Sequence, residues 1–320
     1  MKHASYDIRP CGIGDLEAFR QVFQAAYDKP ADAEYFRRKW NTGHTGQATV
    51  AHLAVTEDGR PVAWYGIYPQ WLRKGDTRSL AAQAGDAATL PETRRSGLFR
   101  ALAMAAEAKC EAHGIRTLIG FAQQQRGSFI GLVDMGWTHV ADLTIHRWLT
   151  QVPMTMRLCR KLSRKTFARS MATRWNAVTV PHDAHGAVAL DQSLVARTEG
   201  WHSERAPEYL RYKCTLGSRV VRLPSGHAWI AVQGNTARIG DLFGRDHVAL
   251  LHELIALCRT LGVDVLEITT TADAIAAPLL SAIPADQSVQ AGGLIVKPLP
   301  GSPCHVDEPL LFTGGDIDTF

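Results

Sequence analysis

The sequence predicts an α+β protein made of two tandem domains, each a mixed, mostly antiparallel sheet flanked by helices. The chain has 320 residues, about twice the length of an average domain. Its first half alternates strand patterns with amphipathic helices, and a weaker copy of the same order of elements follows in the second half. We therefore expect domains at residues 1–150 and 176–320, with a basic connecting helix at residues 151–175.

Composition excludes several classes of protein. The chain is 46% hydrophobic and 21% charged with a net charge of +4, which is typical of a soluble domain and too mild to indicate a nucleic-acid partner. Its six cysteines are scattered, so no zinc spacing is present and no metal is expected. No signal-peptide pattern or long apolar run occurs, which favours a cytoplasmic location without stable membrane insertion. The sequence does not decide whether the protein is a monomer or a homodimer.

The first half begins with a strand, two helices and an antiparallel hairpin. Apolar residues at helical spacing follow a plausible N-cap at Asp15, and Asp58-Gly59 is a strong hairpin turn between two strand patterns. The expected strands are residues 6–10, 49–57, 61–73 and 79–90, and the expected helices are residues 16–27 and 33–40. The fourth strand, SLAAQAGDAATL, is rich in small residues, which indicates that something approaches its backbone closely.

A loop with two arginines and a glycine joins this fourth strand to an Ala-rich helix. It reads Arg94-Arg95-Ser96-Gly97-Leu98-Phe99. A short strand (residues 117–122), a helix (residues 128–135), Gly136-Trp137 and a closing strand (residues 140–149) complete the half. The first amides of a helix lack internal partners and lie at the positive end of its dipole, so such a junction suits an anion. Alternatively, the arginines only solvate the start of the helix.

This order of elements and this loop resemble the GNAT superfamily of N-acyltransferases. Phe99 departs from the family pattern, which usually has Gly or Ala there, and Gly136-Trp137 stands where the family has Gly-Phe. The resemblance implies acetyl-CoA as acyl donor, with its pyrophosphate on the backbone amides of about Arg95 to Phe99 and its pantetheine along the fourth strand. The implied cofactor-binding residues are Ala87, Ala88, Thr89, Arg94, Arg95, Ser96, Gly97, Leu98, Phe99, Gln123, Gln124 and Ser128.

Direct acyl transfer needs a group that deprotonates the acceptor amine and one that protonates the leaving thiolate. Asp86, flanked by small residues in the fourth strand, is the first candidate for amine binding or general base catalysis; a hydrogen bond to a neighbouring loop is the alternative. His139 and His146 are weaker candidates. Many GNAT enzymes take the acid from a tyrosine in the helix before Gly-Phe, and residues 128–135 contain none.

The second half repeats the element order but lacks the loop motif. The helix of residues 207–214 echoes that of residues 33–40, and Gly240-Asp241 echoes Gly85-Asp86. The corresponding loop, residues 243–247, has no Arg-x-x-Gly frame, and Asp246 places negative charge at its helix start. We therefore expect the second domain to be degenerate and not to bind coenzyme A.

Two further segments bear on the substrate. The basic helix predicted at 151–175 is either solvated or contacts an anionic substrate or membrane surface. Nearly the whole chain, including the tail Gly-Gly-Asp316-Ile-Asp318-Thr-Phe, resembles tandem-domain bacterial acyltransferases associated with amino-sugar and surface-polysaccharide pathways. We expect Asp316 and Asp318 to fold back towards the acceptor amine; a frayed terminus is the alternative.

The resulting hypothesis is an acetyl-CoA-dependent N-acetyltransferase acting on a small amine, above all an amino sugar, free or nucleotide-linked. The alternatives are an antibiotic-modifying, aminoglycoside-type acetyltransferase and a non-catalytic acyl-CoA-binding sensor. The first would need an acidic cleft. The missing tyrosine and Phe99 keep the second open.

Overall fold

The computed structural model of the protein describes residues 6–124 and 127–317, with the backbone alone for Arg164, Phe167 and Ala168. The chain divides into two compact units. Unit 1 contains Met1–Val140 and Gly293–Glu308, and unit 2 contains Ala141–Gly292 and Pro309–Phe320. The predicted boundary near residue 150 thus lies within unit 2, and Gly293–Glu308, which falls in the predicted second domain, belongs to unit 1.

Unit 1 is a mixed sheet with helices on both faces. Its strands are β1 (Tyr6–Cys11), β2 (Val50–Thr56), β3 (Pro61–Lys74), β4 (Thr77–Thr89), β5 (Thr117–Ala122), the start of β6 (Thr138–Leu149) and the end of β12 (Gln287–Pro298). Its helices are α1 (Leu16–Tyr27), α2 (Ala33–Lys39), α3 (Leu98–Ala112) and α4 (Gly127–Val133). The order β1-β2-β3-β4-β5-β12 is antiparallel except for the parallel pair β4–β5.

Alternation along β3 places the helices of unit 1. Successive side chains of a strand point to opposite faces, so neighbouring aromatic residues contact different helices. Trp64 packs against Phe19 of α1, with ring centroids 4.9 Å apart. Tyr65 packs against Phe99 of α3, with ring centroids 5.6 Å apart. Helix α1 therefore covers one face of the sheet, and α3 covers the other.

The Gly-Trp turn near the end of unit 1 has a structural role. The indole Nε1 of Trp137 donates to Glu107 of α3 over 2.9 Å, and Lys297 Nζ lies 2.6 Å from the second oxygen of the same carboxylate. Gly136 has a φ of +85°, a backbone conformation that glycine adopts readily. Through Glu107, the turn thereby connects α3 to residues 293–298 of β12, which pair with β5.

Unit 2 repeats this design. It contains α5 (Met154–Leu162), α6 (Arg164–Val178), β7 (Trp201–Ser203), α7 (Pro207–Thr215), β8 (Arg219–Leu223), β9 (Gly226–Gln233), β10 (Thr236–Phe243), α8 (His247–Thr260), β11 (Val265–Thr270), α9 (Asp273–Ala282) and β13 (Leu310–Leu311). The rest of β6 and β12 also lies here. The order β6-β11-β10-β9-β8 is antiparallel except for the parallel pair β10–β11.

The expected connecting helix is two helices rather than one. Helices α5 and α6 are separated at Ser163, whose φ of −134° and ψ of 54° are not helical. Among the residues that the structure describes, no helix combines the length and apolar character needed to cross a membrane.

Candidate functional site

A gap between two parallel strands forms the centre of the candidate site. β4 pairs with β5 only over Ala81–Ala84, opposite residues 117–120. On its other side β4 continues to pair with β3 as far as Thr89. The register with β3 shifts between Tyr65 and Ile67, so that Gly66 alone faces Gly85 and Asp86 in a β-bulge. Beyond Ala84, β4 is therefore paired on one edge only.

The loop after β4 presents a run of backbone amides. The amides of residues 95–100 have no hydrogen-bond partner among the residues that the structure describes; the first amide bonded back into helix α3 is that of Ala101, which donates to the Gly97 carbonyl over 3.0 Å. Arg95 has a φ of +66° and Gly97 a φ of +84°. These left-handed turns curl the loop, and the unpaired amides at a helix start suit an anion such as a pyrophosphate.

The two arginines of the loop have different environments. The guanidinium of Arg94 donates to the carbonyls of Thr89 over 3.4 Å and of Ala26 over 3.3 Å. Arg95 is exposed, and no described residue pairs with it. The Ser96 hydroxyl forms a hydrogen bond within the loop, since it donates to the Thr93 carbonyl over 2.7 Å. Arg95 is therefore the side chain of this loop that is free to bind a ligand, and Arg94 fastens the loop to α1 and β4.

Phe99, which replaces a small residue of the family pattern, has a matching glycine opposite it. A Cβ on Gly131 of α4 would lie 3.1 Å from the Phe99 ring, so a side chain there would crowd it. The ring also packs against Tyr65. Leu98 beside it is buried. The large residue thus fills the space between α3 and α4 and leaves the backbone of the loop unobstructed.

A tyrosine that the sequence analysis missed contacts the backbone of β4. The Tyr27 hydroxyl, at the end of α1, donates to the Ala87 carbonyl, and Arg94 Nε donates to the Thr89 carbonyl. These are two of the backbone groups that the resemblance assigned to pantetheine; Ala88 between them is buried and pairs with Trp64. Partial burial raises the pKa of Tyr27, and the negative charge of Asp86 raises it further. The phenol is therefore protonated at neutral pH.

Asp86, the first catalytic candidate, is held by a buried lysine. Lys39 Nζ lies 3.0 Å from Asp86 Oδ1 and 2.9 Å from Oδ2, and the Tyr68 hydroxyl donates to Oδ2. The lysine side chain is 2% exposed and that of Asp86 is 13% exposed. The ammonium also lies 4.8 Å from the centroid of the Tyr68 ring. A carboxylate accepts about four hydrogen bonds, so one acceptor position remains for a substrate or a water.

A small cavity lies at Trp64 of β3, on the same face of that strand as Tyr68, which binds Asp86. Its volume is about 410 Å³, and Trp40, Trp64 and Arg37 are among its lining residues. The two indoles stack with centroids 4.8 Å apart, and neither buried Nε1 has a hydrogen-bond partner among the described residues. A Cβ on Gly66 would lie 3.1 Å from Trp64 Nε1 and 3.6 Å from the Asp86 carbonyl oxygen. The missing side chain at residue 66 therefore leaves the indole close to the bulge of Asp86.

The other predicted residues are not gathered around Asp86 in one cluster. His139 is exposed beside Phe129, and its Nε2 lies 3.4 Å from Gln124 Nε2. Gln123 is exposed just after β5, and Ser128 is exposed in the first turn of α4. His146 belongs to unit 2, where it is buried and its Nδ1 lies 2.8 Å from the Ser288 hydroxyl. Burial lowers the pKa of His146, which therefore favours the neutral imidazole.

In the described part of the predicted acidic tail, residues 314–316 are buried. Asp316 is 1% exposed, and Arg205 binds its carboxylate with contacts of 2.5 and 3.1 Å. Arg205 also reaches Asp241 over 2.6 Å. Asp316 is thus committed to an internal ion pair of unit 2, which corrects the expectation that it folds back towards the acceptor amine. Asp318 lies outside the described residues.

In unit 2 the same chain segment fills the gap that corresponds to the opening beside β4. β10 and β11 pair only as far as Ile239 and Ile268, and Gly240 forms a bulge against β9. Thr313 bridges Thr270 of β11 and donates its hydroxyl to the Gly240 carbonyl. A Cβ on Gly315 would lie 2.6 Å from the Gly240 Cα. The terminal segment, residues 313–316, therefore occupies the space between these strands.

The helix start in unit 2 is also occupied by a protein group. Asp246 caps α8, because its carboxylate accepts from the Ala249 amide over 2.9 Å. The amide end that would bind a phosphate thus already carries a negative charge. Among the described residues, no cluster of three or more His, Cys, Asp or Glu side chains is arranged to hold a metal ion.

Comparison with known proteins agrees with this geometry. Residues 7–139 match the family model described as acetyltransferase (GNAT) domain. No curated protein sequence matches the chain. A GCN5-related N-acetyltransferase from Kribbella flavida is similar in structure at 14% identity and a TM-score of 0.63, covering 95% of this chain and 72% of its own.

Two other structures are informative about architecture. A tandem GNAT protein from the clavulanic acid biosynthesis pathway matches at 13% identity with a TM-score of 0.52, covering 93% of this chain and 100% of its own. A fungal glucosamine N-acetyltransferase region matches at 10% identity with a TM-score of 0.51, covering 92% of this chain and 38% of that protein. At such identities the similarity shows the fold: a mixed α/β architecture of tandem GNAT type.

Proposed function

From the premise that residues 7–139 form a GNAT acetyltransferase domain, whose acyl donor is acetyl-CoA, we propose that the protein acetylates the primary amine of an amino sugar. The observation that carries the proposal is the one-sided edge of β4 beyond Ala84, continued by unpaired amides at residues 95–100. A strand edge suits the amide groups of pantetheine, and the helix start suits its pyrophosphate.

Acetyl-CoA supplies the acetyl thioester, and the residues of the chain would hold and orient it. We assign its phosphates to the amides of residues 95–99 and to the Arg95 side chain, which no described residue pairs. The carbonyls of Ala87 and Thr89 are the acceptors for pantetheine amides, and Tyr27 and Arg94 now donate to them. Binding would exchange these side-chain bonds for bonds to the donor.

Acetyl transfer requires an acceptor amine that has lost a proton. Asp86 has one acceptor position beyond those used by Lys39 and Tyr68, and we assign it the role of binding the amine and taking its proton, directly or through a water. Lys39 compensates the charge of the carboxylate and fixes its direction. The neighbouring indole of Trp64, whose Nε1 has no partner among the described residues, is suited to donate a hydrogen bond to a hydroxyl oxygen of the substrate.

The leaving thiolate must gain a proton, and Tyr27 is the group that we propose to supply it. Its raised pKa keeps the phenol protonated, and its hydroxyl lies on β4 one residue beyond Asp86. This assignment replaces the tyrosine that many GNAT enzymes carry in the helix before Gly-Phe and that residues 128–135 lack.

Two observations favour an amino sugar as the acceptor. The cavity lined by Trp40 and Trp64 is about 410 Å³, a size that suits a small molecule, and the two indoles stack on each other. Aromatic walls and a few hydrogen-bonding groups suit the apolar faces and hydroxyls of a sugar ring. The fungal structural neighbour is described as a glucosamine N-acetyltransferase region. A polycationic aminoglycoside is less suited, because Lys39 already neutralises Asp86.

The test is thiol release from acetyl-CoA by the full chain in the presence of glucosamine, a UDP-linked amino sugar, an aminoglycoside or no acceptor. We expect acceptor-dependent release with an amino sugar and an acetylated product by mass spectrometry. Release with the aminoglycoside alone would reject the acceptor assignment. Tight acetyl-CoA binding without turnover on any amine would instead indicate a sensor.

A further inference from the structure

Unit 2 contains a cavity with a basic lining that the acyl-transfer chemistry does not use. Its volume is about 880 Å³. Helices α5 and α6, the start of β8, the turn at Gly234 and Asn235, and the segment Leu261–Val263 line it. All of these residues belong to unit 2. The cavity is within the size range of small-molecule sites.

The positive charge in this cavity exceeds the negative charge that faces it. Arg157 and Arg160 share one carboxylate, that of Asp264, at 3.2 and 2.7 Å. Lys161 and Arg219 also line the cavity, and neither has an ion-pair partner in the described part of the chain. Four cationic side chains thus face one carboxylate, which creates a positive potential inside a concave surface.

Arg219 carries the inference because it is an uncompensated charge that is partly buried. Its Nε is buried without a hydrogen-bond partner among the described residues. Its guanidinium carbon lies 5.6 Å from the centroid of the Trp175 ring, which provides a cation–π contact but accepts no conventional hydrogen bond. Burying a charged group without hydrogen bonds is costly, and an anionic ligand would remove that cost.

The rest of the lining describes the body of such a ligand. Met171, Leu261 and Val263 are buried apolar residues of the wall, and Asn176 and Asn235 are exposed amides at the cavity. An apolar wall with side-chain amides suits a ring that carries hydrogen-bonding groups, and the guanidinium fork of Arg219 suits a phosphate.

We propose that this cavity binds a small organic phosphate of nucleotide size, at a site separate from the acyl-CoA site of unit 1. The phosphate lies between Arg219 and Lys161, and the organic part contacts the wall near Trp175. A lipid bilayer is the other anionic surface that a basic helix could meet. The observations favour the soluble ligand, because Arg219 lies on β8 within a concave lining rather than on an exposed helix face.

The test is isothermal titration of the full chain with UMP, UDP and inorganic pyrophosphate, with the Arg95→Glu variant, which weakens the phosphate site of unit 1, titrated in parallel. We expect saturable binding of at least one of these anions, weakened by added salt. Arg219→Gln should weaken it at least tenfold, and Lys161→Gln several-fold. Arg222→Gln, an exposed arginine on the same strand outside the cavity, is the matched control and should bind normally.

Each outcome decides the proposal. Circular dichroism and the thermal midpoint establish that Arg219→Gln is folded, and the exposed Lys161→Gln variant gives a second reading if it is not. No saturable binding of any of the three anions by the unsubstituted chain overturns the proposal, as does equal affinity in the folded cavity variants and the control. If the chain co-sediments with phosphatidylserine vesicles and binds none of the soluble anions, the basic residues of the cavity bind membranes instead.

Discussion

The ammonium of Lys39 lies within 3.0 Å of both carboxylate oxygens of Asp86, and the lysine side chain is 2% exposed. An ion pair at this depth is costly to break, because removing one partner leaves the other charge buried. The pair joins the end of α2 to the bulge of β4. Asp86 is therefore both a catalytic candidate and a structural anchor, and experiments have to separate the two roles.

Asp86→Asn should reduce turnover about a hundredfold or more, the usual scale for lost general base catalysis, with acetyl-CoA affinity kept. The amide oxygen still accepts from Lys39, so the fold should survive with reduced stability. Steady-state kinetics and titration with acetyl-CoA measure the two effects. The control is Tyr68→Phe, which removes one donor to the carboxylate but no charge and should cost much less activity. If Asp86→Asn is as fast as the unsubstituted enzyme across pH, the base lies elsewhere, and His139 is the next residue to test.

Tyr27→Phe should lower kcat and leave acetyl-CoA binding intact or tighter. The Tyr27 hydroxyl now donates to the Ala87 carbonyl. Without this hydroxyl, the Ala87 carbonyl is available to acetyl-CoA. A neutral hydrogen bond is worth about 1 kcal/mol, or roughly fivefold in affinity. Calorimetry gives the affinity, and a single-turnover rate gives the chemical step. Weaker acetyl-CoA binding with normal kcat would mean that Tyr27 holds the donor and does not protonate its thiolate.

Much of the fold could be predicted from the sequence because its signals are local. Asp58-Gly59 marks the β2–β3 hairpin, and the apolar spacing of residues 16–27 marks α1, which ends at Tyr27 as expected. That residues 293–308 belong to unit 1 could not be predicted, because strand pairing at long sequence distance leaves no local pattern. The prediction of a single connecting helix was wrong, because helix periodicity does not reveal the break at Ser163.

The candidate site was predictable where a motif exists. The loop at residues 94–99 lies at a helix start with unpaired amides, as its glycine and arginines indicated. Lys39 and Tyr27 were missed, since their partners lie 47 and 60 residues away. One signal was available for the lysine: Lys39 and Lys213 occupy the same position of the repeated helix. In unit 2 Lys213 donates instead to the Ile317 carbonyl over 2.8 Å.

Asp316→Asn should destabilise unit 2 by about 3 kcal/mol, the lower end of the range for a broken buried ion pair, because Arg205 keeps Asp241. Burial alone would raise the pKa of Asp316, but Arg205 and the Thr313 amide hold it below its usual value. A lowered carboxyl pKa stabilises the fold above the pKa of the unfolded chain, and this contribution is lost as the pH falls through the folded pKa. Urea unfolding from pH 7 to pH 3 should show an acid-dependent loss that is smaller in the variant. Identical profiles would refute the assignment.

A chain that ends at Phe312 should unfold at a lower temperature, because it lacks the segment that fills the gap between β10 and β11. Its acetyl-CoA affinity should be normal at temperatures where it is folded, since unit 1 keeps its loop. Differential scanning calorimetry and a binding titration test both statements. A truncated chain of normal stability but raised KM for the acceptor would instead restore the tail to the active site.

The central claim is that acetyl-CoA binds at the loop of residues 94–99 in unit 1 and nowhere in unit 2, and titration calorimetry with acetyl-CoA tests it most directly. We predict one site per chain. Arg95→Glu, which reverses the unpaired charge of the loop, should weaken binding at least tenfold. Arg73→Glu, a matched exposed arginine at the far end of β3, should not. Two equivalent sites per chain, or equal affinity of Arg95→Glu and the unsubstituted protein, would contradict the account.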